Sequence, residues 1–150
     1  MIPTEDQEQE ALFEWVYYQN NPFIKLLYAI PNGGYRPPKT AALLKRTGVK
    51  PGVPDMFLPV PHGCYHGLYI ELKRTQGGAV SYPQKIWIDN LKSQGYRVEV
   101  CKGWVEARNV ILDYLEIETP NTAVNSCVAC GADMPEGDQI CVICKKEWNL

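Results

Sequence analysis

Leu68-Tyr69-Ile70-Glu71-Leu72-Lys73 alternates apolar residues with residues of another kind, and that alternation constrains everything around it. A β-strand turns successive side chains to opposite faces, so Leu68, Ile70 and Leu72 line one face and Tyr69, Glu71 and Lys73 the other. A second apolar-rich run, Asp55 to Val60, precedes it, and Pro61-His62-Gly63-Cys64-Tyr65-His66 between the two fits a hairpin with a longer connection. Glu71 and Lys73 thereby become neighbours on a central strand. Val or Ile would ordinarily stand there, and burying an acid and a lysine is costly. Pro54-Asp55 opens the partner strand, so antiparallel pairing brings Asp55 alongside Glu71 and two carboxylates converge beside an ammonium.

Hard cations such as Mg2+ are held by one or two carboxylates together with water and phosphate oxygens, and Asp55 with Glu71 supplies that set. Lys73 beside them has the charge to orient a water, or to stabilise a phosphorane as water attacks in line. The competing reading is an edge-strand salt bridge between Glu71 and a base, a common surface feature that contributes little.

The remaining elements follow from caps and breakers. Thr4 with Gln7 is a capping-box pattern, and Leu12, Trp15 and Val16 recur at helical spacing until Asn21-Pro22, which predicts a helix over about 4–20. Phe23 to Ile30 reads as a strand entering the Pro31-Asn32-Gly33-Gly34 loop. Ala41 to Leu44 make a short helix closed by Gly48. Ser81 with Gln84, and Pro83 in the first turn, opens a helix with Ile86, Trp87 and Leu91 apolar. Tyr96 to Cys101 returns as a strand, and Trp104 to Ile117 forms the last helix, with Val105, Ile111, Leu112 and Leu115 apolar. This order predicts an α/β or α+β sandwich over 1–117, and the polar stretch 118–126 around Thr119-Pro120-Asn121-Thr122 reads as a linker.

The net charge of -2 conceals blocks of opposite sign. Residues 1–14 carry five acids and no base (-5), residues 15–102 twelve bases and four acids (+8), and residues 103–150 three bases and eight acids (-5). Arg36, Lys39, Lys45, Arg46 and Lys50 fall together with no acid among them, which suits a phosphate-neutralising surface and equally a solvated helix face. No apolar run approaches the roughly 18 residues of a membrane span. The acidic start, Met1 to Glu10, lacks the pattern of a secretory signal, so the expected location is the cytoplasm.

Pro54-Asp55, fifteen intervening residues, and Glu71-Leu72-Lys73 resemble the PD-(D/E)xK nuclease signature, and the surroundings are similar to its VRR-NUC branch, the virus-type replication-repair nucleases. The resemblance runs from Thr4 to about Leu115. It includes Ile30-Pro31-Asn32-Gly33-Gly34, the segment ending Gly52-Val53-Pro54-Asp55, His66 to Lys73, Ser81 with Gln84, and Gly95-Tyr96 leading to Cys101 and Trp104. It implies a restriction-endonuclease-like fold, a central mixed sheet flanked by helices, and Mg2+- or Mn2+-dependent hydrolysis of DNA phosphodiester bonds. By the same resemblance Asp55 and Glu71 are metal ligands, the Leu72 carbonyl completes the metal shell, and Lys73 is the catalytic lysine. A glutamate from the first helix, Glu5, is the further acid, with Glu8 as its competitor. Gln84 matches the family's glutamine and either orients Lys73 or the substrate, or merely serves as a capping-box partner. Arg36, Lys39, Lys45 and Arg46 are then assigned to phosphate contacts. Phage-type members of this size resemble homodimeric Holliday-junction resolvases, which implies branched DNA and a second copy as partners and a phage or prophage setting. The alternatives are a nicking or end-processing nuclease and a non-catalytic nucleic-acid-binding accessory protein.

Cys127-Val128-Ala129-Cys130 and Cys141-Val142-Ile143-Cys144, ten residues apart, read as two knuckles able to fill the tetrahedral shell of a structural Zn2+ with four thiolates, the alternatives being a redox pair or an iron-sulfur site. So short a segment, 127–150, needs such a staple to fold, and it resembles a zinc ribbon. Cys64 and Cys101 read as a loop thiol and a core thiol. His62 and His66 carry no assigned ligand role, and Trp15, Trp87 and Trp104 read as core.

Overall fold

A computed structural model describes residues 2–31 and 37–117. Arg36, the Asn32-Gly33-Gly34 loop, the linker and the four paired cysteines lie outside the described residues.

Helix α1, Glu5–Tyr18, starts where its cap dictates: the Thr4 hydroxyl accepts from Gln7 N, and the Gln7 side chain accepts from Thr4 N at 2.9 Å. Its inward stripe is Glu8, Leu12, Trp15 and Val16. The expected strand over Phe23 to Ile30 is largely absent. Asn21 Oδ1 accepts from Phe23 N at 2.8 Å and Ile24 N at 3.3 Å, and the chain winds into a 3-10 turn, Ile24–Leu26. Only the two-residue strand β1, Tyr28–Ala29, remains. Ile24 and Leu27 are the buried residues here, and their spacing of three is a helical period, which the apolar run masks.

Helix α2, Pro38–Arg46, ends as Gly48 predicts. Gly48 sits at φ +98°, Gly48 N reaches Lys45 O at 3.4 Å and Val49 N reaches Leu44 O at 2.9 Å, which is a Schellman closure. No residue of α2 is buried. Strands β2 (Met56–Leu58) and β3 (Leu68–Lys73) form the predicted antiparallel pair, registered Met56↔Ile70, Phe57↔Tyr69 and Leu58↔Leu68. Helix α3, Tyr82–Ser93, carries the predicted Ser81/Gln84 box and crosses over to β4, Arg97–Lys102, which runs parallel to β3. The mixed sheet has the order β1-β2-β3-β4. Helix α4, Trp104–Tyr114, follows.

The sheet separates two apolar layers. Leu68, Ile70 and Leu72 pack with Leu12, Trp15 and Val16 of α1 and with Ala107, Ile111 and Leu112 of α4. On the opposite face Tyr69 and Val100 pack with Ile88, Leu91 and Val98, and Trp87 and Tyr96 join them. Two inward assignments fail. Val105 is 46% exposed while Ala107 and Tyr114 are buried, and Ile86 is exposed while Ile88 is buried, because the phase of each helix and not apolar identity alone decides which side chains face the core. Cys101 is buried and Cys64 exposed, as expected, and no helix among the described residues is long and apolar enough to cross a membrane.

Candidate active site

The α3 face of β3 presents Tyr69, Glu71 and Lys73 in turn, and the last two are buried at 0% and 7% exposure. Asp55 lies one step beyond the Met56↔Ile70 pair, beside Glu71. Its backbone carbonyl accepts from Ile30 N at 2.7 Å, which ties the end of β1 to it, and its Oδ2 accepts from Leu72 N at 2.8 Å. The N–H and C=O of a strand residue point to the same side, so the Leu72 carbonyl opens toward the edge that Asp55 occupies.

Lys73 Nζ lies 2.6 Å from Glu71 Oε1 and 3.8 Å from Glu5 Oε1. Of the two acids on α1 it is therefore Glu5 that meets the lysine. Glu8 turns away, with its Oε2 accepting from Trp104 N at 2.9 Å. Gln84 is the capping-box partner of Ser81, and its second contact is with Glu71, not with Lys73. Its Oε1 accepts from Ser81 N at 2.8 Å, and its Nε2 donates to Glu71 Oε1, so the orienting contact is with the glutamate. Glu71 Oε2 is buried and has no hydrogen-bond partner among the described residues.

Three carboxylates face one ammonium in a partly dry pocket, and the titrations reflect it. Burial raises Asp55 above the usual carboxylate value, against the lowering by the Leu72 amide and the Lys73 charge. Burial likewise pushes Glu71 up to about 7, the Lys73 hydrogen bond opposing and the Asp55 charge adding. For Lys73 burial pulls downward, but the hydrogen bond and charge of Glu71, with Glu5 and Asp55 behind, hold it above an ordinary lysine.

Among the described residues no three His, Cys, Asp or Glu side chains form a ready metal cage. Glu71 Oε1 is turned onto Lys73 and Gln84, and Asp55 Oδ2 onto an amide. A hard divalent ion needs no such cage. One or two carboxylates, with carbonyl, water and phosphate oxygens, suffice. The all-oxygen donor set, the excess negative charge and the orphaned Glu71 Oε2 fit such an ion.

The other residues singled out by the sequence stand apart from this pocket. Lys39, Lys45 and Arg46 lie on the exposed α2. The His66 ring packs on Gly95, where an added Cβ would meet it at 2.8 Å, and His62 sits 3.6 Å from Glu116 Oε2. Burial pushes the Cys101 thiol up to about 12, so it stays an inert core group.

The model of the VRR-NUC domain matches residues 3–104. The chain is similar to a solved structure described as a "VRR_NUC domain protein", with a TM-score of 0.67 and 31% sequence identity over 79% of this chain and 93% of that one. No curated protein matches.

Proposed function

The chain belongs to the VRR-NUC domain family, and from that premise we propose that it is a divalent-metal-dependent endonuclease that hydrolyses DNA phosphodiester bonds, selective for branched substrates. Membership places it among nucleases, with nucleic acid as the substrate. The metal dependence is supported by one observation: a buried carboxylate oxygen on Glu71 with no partner among the described residues, on a residue that also holds the Lys73 ammonium.

In this reading Asp55, Glu71 and the Leu72 carbonyl hold Mg2+ or Mn2+, and Glu5 reaches the same pocket from α1. An ion held there would supply positive charge to polarise the scissile phosphate and to lower the pKa of a water. Lys73 acts as a donor and a charge. With the Glu71 hydrogen bond and charge outweighing burial and holding it above an ordinary lysine, it would hydrogen-bond the attacking water and stabilise charge developing on the phosphate oxygens. Gln84 and Lys73 both grip Glu71 Oε1, which fixes the rotamer of that carboxylate. Arg36, Lys39, Lys45 and Arg46 contribute phosphate contacts with little sequence preference. A homodimer acting in the cytoplasm of a phage host would place one such site on each of two strands of a junction. By their spacing Cys127, Cys130, Cys141 and Cys144 would hold a structural Zn2+.

The test is a panel of four-way junction, flap, nicked and linear DNAs incubated with the protein in Mg2+. The expected result is cleavage of branched DNA that stops with EDTA and falls by ~10²–10⁴-fold in Asp55→Ala and Lys73→Ala. Cleavage of the nicked or linear DNAs alone would move the reading to a nicking or end-processing nuclease. Variants as fast as the parent would end the mechanism.

A further inference from the structure

Glu8 is buried at 4% exposure, yet it takes no part in the pocket around Lys73. A carboxylate so placed is costly unless hydrogen bonds and positive potential offset it. Both come from α4. The N-cap of that helix is Gly103, which has no side chain with which to cap, and Glu8 Oε2 accepts from Trp104 N at 2.9 Å across 96 residues of sequence. The positive end of a helix and its unpaired amides are where an anion is best held.

The same turn also holds the catalytic strand. Gly103 N donates to the Lys73 carbonyl at 2.8 Å, so consecutive amides of α4's start bind β3 on one side and α1 on the other. Gly103 makes the close approach possible. It lies at φ +81°, and an added Cβ would come within 2.7 Å of Thr75 Cγ2 and 3.2 Å of Glu8 Oε2. Glu5 and Glu8 are three residues apart on α1 and so share a face, and any roll of the helix moves both. Glu5 has little to hold it in place, since its side chain is 45% exposed and its contact with Lys73 is 3.8 Å long.

We propose that Glu8 is a positioning residue: by capping α4 in trans it fixes the roll of α1 against the end of β3 and thereby holds Glu5 beside Lys73. This rests on the endonuclease reading for its catalytic consequence, though not for the contact itself. The competing possibility is that Leu12, Trp15 and Val16 alone fix α1.

The experiment compares the full-length parent with Glu8→Gln, Glu8→Ala, Glu5→Gln and the double variant Glu8→Ala/Glu5→Gln. Three quantities are read: cleavage in Mg2+ of the DNA the parent cuts, hydrogen exchange of the Trp104 amide, and the Lys73 side-chain ammonium resonance. A glutamine carbonyl still accepts from Trp104 N, so Glu8→Gln should keep Trp104 protected and cleave within about threefold of the parent. Glu8→Ala should expose the Trp104 amide and lower kcat by ~10- to 100-fold with KM unchanged. In the Glu5→Gln background the same change should cost less than about twofold, because the group it positions is already gone. The Lys73 resonance should move alike in Glu8→Ala and Glu5→Gln. If Glu8→Ala does not fold, Glu8→Asp, whose shorter side chain draws the carboxylate back from Trp104 N, should show the same non-additivity with Glu5→Gln. Additive losses in the double variant, an unchanged rate in Glu8→Ala, or a Glu8→Gln protein as slow as Glu5→Gln would each overturn the inference. A parent that cuts none of the DNAs ends the endonuclease reading instead, and the exchange and resonance measurements still decide the role of Glu8.

Discussion

Glu71 shows what a single side chain can be made to do by its surroundings. Because its proton is held more tightly in the folded protein than in the unfolded chain, folding is favoured at low pH, and that contribution is lost as pH rises from the ordinary value of 4.5 through about 7. Asp55, raised for the same reason, acts in the same direction. We therefore expect the melting temperature in EDTA to fall across this range more steeply in the parent than in Glu71→Gln. Mg2+ should flatten the parent's profile, because the ion displaces the proton and stabilises the carboxylate. A parent profile parallel to that of Glu71→Gln would show that Glu71 titrates normally. At this scale Asp55, Glu71 and Lys73 are legible in the sequence, since a period of two and the antiparallel pairing of neighbouring runs decide which side chains meet. The role of Glu8 is not. Helical phase shows that it faces inward with Leu12, but nothing local reveals a partner at Trp104.

The helices and strands are legible where they carry their own punctuation. The Thr4/Gln7 and Ser81/Gln84 boxes and the Gly48 stop each stand where residue chemistry puts them. The Phe23 to Ile30 run departs from its apolar pattern because an Asn21 turn, set by side-chain acceptance of two amides, outcompetes extension. The α3 N-terminus allows capping and site support to be separated. Ser81→Ala removes a cap and should cost about 1 kcal/mol of stability with little effect on cleavage. Gln84→Ala should cost a similar amount of stability and also slow cleavage, because it releases Glu71 Oε1. Chemical denaturation and cleavage rates on the two variants check this, and equal rates would confine Gln84 to the cap.

For the molecule as a whole, charge segregation and the bare surface of α2 set the terms of association. Lys39, Lys45 and Arg46 lie on a helix that contributes nothing to the core, so replacing Lys45 and Arg46 by Ala should leave melting unchanged. The double replacement should reduce the slope of log affinity against log salt by about 1 for each phosphate that is no longer neutralised. An unchanged slope in DNA titrations would remove α2 from the interface. Metal analysis should find about one zinc per chain, and none after Cys127→Ser with Cys144→Ser; the thiolate spacing is the whole basis of that expectation. The mixed sheet is legible only in part, because the hairpin is local whereas the parallel partner of β3 and the roll of α1 are set by contacts far apart in sequence.

The parallel pairing of β3 with β4, and the hold that Gly103 has on Lys73, bear on when the pocket can work. A chain leaving the ribosome has its β2–β3 hairpin out early, while the strand and helix start that steady the lysine arrive only with residues Arg97–Trp104. A chain that has emerged only as far as the hairpin therefore lacks the Gly103 amide that holds the Lys73 carbonyl, and the pocket is complete only once that residue has joined it.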